Sequence, residues 1–157
     1  MRTIIYDSTD KPEQIMSKLK WTTEQVSNSF GLSSTSISSH KLWLGILHEN
    51  QNTFKLAEPR KVFALNPFRV IIKGTIRDNT KGSELTINFK PDFKTAMFLT
   101  VLFLGVIVSF FGLIQEFGLE SILGIISFIV ILSLAFALYS YKLKKSQEMI
   151  EQALHLE

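Results

Sequence analysis

The 157-residue chain carries 17 Lys and Arg against 14 Asp and Glu, a net charge of +3, and 46% of its residues are hydrophobic. It contains no cysteine, so it has no disulfide framework and no thiolate ligands, in keeping with a reducing compartment. The basic excess comes with no recognised nucleic-acid motif and no basic cluster interleaved with aromatics, which argues against a nucleic-acid partner.

Met1-Arg2-Thr3 leads into no long apolar run, so no cleavable signal peptide is expected. Thr3-Ile4-Ile5-Tyr6 reads as a strand. Ser8, Thr9 and Asp10 offer N-cap residues, Pro12 suits a first helical turn, and Ile15, Met16 and Leu19 fall on one side with Lys11 and Lys18 away from it. That spacing predicts a short amphipathic helix over 11–20. Residues 27–39, rich in serine around Phe30-Gly31-Leu32, read as a loop or a loosely held edge segment.

From Lys41 the pattern changes to period two. Leu42, Leu44 and Ile46 alternate with Trp43, Gly45 and Leu47, then Glu49-Asn50-Gln51-Asn52 turns the chain before Phe54 and Leu56. A second hairpin runs over 68–78 and 83–90, with Asn79-Thr80-Lys81-Gly82 as its turn. Pairing Asp78 with Ser83 sets Arg77 opposite Glu84, Thr75 opposite Thr86 and Lys73 opposite Asn88 on one face. Val70, Ile72, Ile76, Leu85, Ile87 and Phe89 then share the other. A slip of one residue would reverse both sets, so the register is strongly specified. The sheet has one dry face, to be covered by the 11–20 helix with Trp21 and Trp43, and one wet, basic face.

Residues 95–114 and 121–141 are uncharged apolar runs of about twenty residues, the length that crosses a bilayer as helix. Both are apolar on every side, and the chain is too small to wrap two such helices in a soluble core. Lys90 and Lys94 precede the first run and Lys142, Lys144 and Lys145 follow the second, whereas the connection holds only Glu116 and Glu120. The positive-inside rule therefore predicts a two-pass protein of the cytoplasmic (inner) membrane with both termini cytoplasmic. Residues 142–157 continue as an amphipathic helix, with Leu143, Met149, Ile150, Ala153 and Leu154 to one side, and packing on the sheet is its default role. The expected fold is an α+β membrane protein: a cytoplasmic antiparallel β-sheet domain with a short N-terminal helix (1–93), a transmembrane helical hairpin (94–141) and a C-terminal helical tail (142–157).

Gly45, Phe54-Lys55-Leu56, Asn66-Pro67-Phe68, Gly74 and Gly82, followed by paired apolar spans, give residues 41–141 a pattern that resembles a family of small, uncharacterised bacterial membrane proteins. The resemblance implies a β-hairpin module ahead of a two-helix membrane hairpin. It implies no activity, because no chemistry is assigned to that family.

No catalytic constellation is visible. His40, His48 and His155 are scattered, without the spacing of a metal site, and Asp7 and Asp10 flank a helix start where carboxylates satisfy free donors. The hydroxyls of 33–39 lack nucleophile-elbow glycines, and the glycines at 31, 45, 74 and 82 form no phosphate loop. No cofactor or metal is expected, and no enzyme. The expected function is a membrane-anchored binding module for a protein or anionic-lipid partner, with Lys55, Arg69, Lys73, Arg77 and Lys90 as its surface. The alternative is a small subunit, or homo-oligomer, in a larger membrane assembly. There, the small-xxx-small pairs Gly105 with Ser109 and Ser133 with Ala137 pack helices. An oligomeric channel has less support, since no ionisable residue lies within either span.

Overall fold

Alternating side chains along residues 70–91 build the centre of the sheet, and everything else is arranged around that hairpin. The computed structural model describes residues 2–26, 41–59, 68–115 and 119–156. The serine-rich stretch at 27–39 lies outside the described residues. The elements are β1 (Arg2–Ser8), α1 (Pro12–Thr22), β2 (Thr23–Gln25), β3 (Trp43–His48), β4 (Thr53–Ala57), β5 (Val70–Asn79), β6 (Gly82–Pro91), α2 (Phe93–Gln115) and α3 (Leu119–Leu154). A single 3-10 turn, Glu49–Gln51, joins β3 to β4. The architecture is mixed α+β, a six-stranded sheet in the order β1-β6-β5-β4-β3-β2 with three helices, two of them long and apolar enough to cross a membrane.

The β5–β6 register is the one read from the alternation: Asp78 faces Ser83, Arg77 faces Glu84, Thr75 faces Thr86 and Lys73 faces Asn88. Val70, Ile72, Ile76, Leu85, Ile87 and Phe89 are all buried in the main core. Fully burying a side chain of that kind is worth about 1.5–3 kcal/mol. At the turn, Gly82 has φ +144° and packs against the Ser8 carbonyl, leaving no room for a side chain. β1 pairs along its whole length with β6, and β4 pairs with β5, which joins the two hairpins into one sheet.

Three details differ from the sequence reading. The sheet is not wholly antiparallel, because β2 runs parallel to β3; three residues, Thr-Glu-Gln, are too few to show a period of two. The helix N-cap is Lys11, which the ring of Pro12 follows, and its N–H donates to Gln14 Oε1 at 2.9 Å; Asp10 instead pairs with Lys18 at 2.5 Å. Trp43 is fully buried on the dry face as expected, but Trp21 is 78% exposed and covers nothing there.

The dry face is covered by α1 through Ile15, Met16 and Leu19 and by the end of α3 through Ile150 and Leu154, all in one apolar cluster. α3 is 36 residues long, about 54 Å at 1.5 Å per residue, well beyond the ~30 Å of a bilayer core. Apolar span and amphipathic tail are thus a single helix, and the cluster runs from the sheet up to Ala135 and Tyr139, with Leu99 and Leu102 of α2 against it.

Candidate binding surfaces

Where the sheet meets the helices, a polar joint locks the two together. Asp92 caps α2, accepting the Thr95 N–H at 2.8 Å on its side chain and the Ala96 N–H at 2.9 Å on its carbonyl. Thr95 Oγ1 accepts the Arg69 N–H at 2.9 Å, and the Arg69 carbonyl accepts the Asp92 N–H at 3.0 Å. Glu58, just past β4, receives Ser146 Oγ at 3.0 Å and Lys142 Nζ at 3.4 Å from α3. Farther along α3, Tyr6 Oη donates to Glu151 Oε1 at 2.6 Å. Ala57 pairs with Ile71, while Tyr6 lies in the row of Leu85 and Ile76. From Ser146 to Glu151 on α3 thus corresponds to Ile71 to Ile76 on β5, so the strand rises away from the apolar stretches of α2 and α3 in the same sense as the helix.

Arg69 belongs to this joint and not to the open face. It is 5% exposed, and its Nε donates to the Glu58 carbonyl at 2.7 Å. Its odd-numbered place with Lys73 and Arg77 suggested a shared face, but β5 begins at Val70 and Arg69 lies before it, under α2. The open face also has an apolar end: Leu44 and Ala57 are fully buried there, with Val26, Ile46 and Ile71 against them, and Lys90 lies beside Ile71 in the ladder.

The remaining cations form a row. Lys55 is directly opposite Lys73, which is opposite Asn88, which pairs with Thr3. Lys73 and Arg77 are exposed, Lys55 and Lys90 half-buried. Like charges directly opposite on a sheet are destabilising, and burial followed by the charge of Lys73 pushes the Lys55 ammonium below its usual value. An anion between the two ammonium groups relieves both effects. Arg77 has Glu84 and then Asp7 beside it.

On the helices, Gly105 faces the hairpin partner, its missing Cβ only 2.7 Å from the Phe128 ring, and Ser109 lies half-buried one turn on along the same stripe. Ser133 and Ala137 are exposed on the far side of α3 and take no part in that contact. Only 6% of the apolar stretch of α2 and 11% of that of α3 is buried, which sets them apart from the core helices of a soluble protein. Phe98, Val101, Phe103, Val108, Phe110 and Phe111 of α2 point outward, as do Ile126, Ile129, Val130, Leu134, Phe136 and Leu138 of α3.

Fold and surface together define a class: an α+β sheet module fused through one continuous helix to an outwardly apolar helical hairpin. No family model, curated protein or solved structure matches the chain.

Proposed function

We propose that the chain is a two-pass inner-membrane protein, termini cytoplasmic, that performs no chemistry and presents the open face of its sheet to an acidic partner. The observation that carries this reading is the apolar perimeter of the α2–α3 hairpin, far larger than the few hundred Å² a soluble monomer leaves in water. Lipid solvates that perimeter, and α3, running unbroken into the sheet core, holds the sheet upright on it. Lys90 and Lys94 meet anionic headgroups near the joint. Lys55, Lys73 and Arg77 stand farther off: Arg77 lies eight residue steps beyond Arg69, about 26 Å of strand, and Lys73, with Lys55 opposite it, four steps, about 13 Å. Those three suit an acidic protein surface better than lipid.

Extraction in a mild detergent, followed by mass spectrometry of what stays bound, identifies the partner. Changing Lys55, Lys73 and Arg77 together to Glu is expected to abolish that binding while circular dichroism stays unchanged; Arg69 is left native because it is buried. Retained binding with an unaltered salt dependence would refute the basic-face reading. The outward position of Ser133 and Ala137 favours a second reading, a subunit of a larger membrane assembly. On that reading Ser133→Leu dissociates the complex and the charge changes on the sheet do not.

A further inference from the structure

Of the large hydrophobic side chains in the described residues ahead of α2, three are exposed: Ile5, Trp21 and Leu42. A lone exposed apolar residue calls for no explanation, but Trp21 and Leu42 sit together. The Leu42 N–H donates to the Thr22 carbonyl at 3.1 Å, Lys41 Nζ donates to the Trp21 carbonyl, and that ammonium stands 5.8 Å from the centre of the Trp21 ring. Their level in the fold is set by the ladder Leu44–Ala57–Ile71–Lys90. Two residues beyond it toward the spans stand Leu42, just before β3, and Asp92, just after β6 and the cap of α2. α1 agrees in direction: it starts at the far end of the sheet, where Ser83 Oγ donates to the Asp10 carbonyl at 2.6 Å, and its last turn holds Trp21.

We propose that Trp21, Leu42 and Lys41 form a foot that rests in the headgroup region of the leaflet the spans enter, about 14 Å along the sheet from α2, three strand spacings away. The inference rests on the membrane reading above. An indole places its apolar body among the upper acyl chains and its N–H among the headgroups, and the neighbouring ammonium reaches lipid phosphate. Phe93, 77% exposed at the first turn of α2, lies at the same level. With the hairpin at one end of this rim and the foot at the other, the sheet is held at two points and its open face keeps a fixed attitude to the membrane.

Tryptophan fluorescence of the full chain in vesicles tests this, because the chain has two tryptophans and Trp43 is fully buried. The difference between wild type and Trp21→Phe isolates the Trp21 signal without touching the core. That signal is expected to be blue-shifted, largely lost in lipid brominated close to the headgroup, less affected by lipid brominated at the bilayer centre, and shielded from aqueous iodide. Quenching by iodide with no loss in either brominated lipid overturns the foot. A new tryptophan, Phe103→Trp in the Trp21→Phe background, reports on the span. If deep bromine quenches it while Trp21 remains in water, only the foot is wrong; if it too is in water, the membrane reading fails and the foot with it.

Discussion

Phe54 and Gly74 face each other across β4 and β5, and the ring of Phe54 lies over the position where a Gly74 side chain would be. Gly74→Val therefore overpacks the core and is expected to destabilise the protein by about 1–3 kcal/mol, read as a lower denaturation midpoint in detergent. Tyr6 gives a pH-dependent test. Burial, then its hydrogen bond to Glu151, raises the phenol above its ordinary value of 10.0. The folded state therefore keeps a proton that the unfolded chain releases, so this stability is complete below pH 10 and falls as pH rises above it. Tyr6→Phe is expected to cost about 1.5–3 kcal/mol at neutral pH. The gap between variant and wild type should narrow from pH 10 upward. At this scale the sequence was legible where alternation decides burial, as at Ile72 or Leu85, and misleading at Arg69 and Trp21, where position relative to another element decides it.

The elements follow the same division. β5 and β6 were legible to the register because a tight turn and two alternating strands fix each other locally, whereas β2 was hidden by its shortness and by a parallel partner separated from it in sequence. The hairpin helices were legible as apolar runs, but their mutual face was not, since neither carries an apolar stripe to distinguish it. Gly105→Leu drives a side chain into Phe128 and is expected to lower the melting temperature of the detergent-solubilised monomer, with a cost of about 1–3 kcal/mol. Ser133→Leu, on the outer face, should leave that monomer's melting temperature unchanged. Proline at Leu143 interrupts α3 between the hairpin and the core residues Ile150 and Leu154. It is expected to cost about 3 kcal/mol or more and to open the sheet to limited proteolysis.

For the molecule as a whole, the arrangement predicts which surfaces reagents reach. Because the chain has no cysteine of its own, single cysteines can be labelled without background. Gln115→Cys, at the end of α2, should react with a membrane-impermeant maleimide in intact cells. Thr80→Cys, in the β5–β6 turn, and Gln152→Cys, on α3, should react only after permeabilisation. The reverse pattern would invert the proposed topology.

By itself the sequence determined the two long apolar helices, the α1 face and the two β-hairpins with the register of the second, because each depends on periodicity or turn chemistry among near neighbours. Tertiary structure alone decided the strand order, since the β1–β6 and β4–β5 contacts lie between segments whose alternation fits several partners. It also decided that α3 passes unbroken into the sheet core, that Arg69, Asp92, Thr95 and Glu58 converge on one joint, and that Trp21 stands exposed at the same end of the sheet as the start of α2. Those outcomes depend on which distant surfaces exclude water from each other, and no local pattern records that.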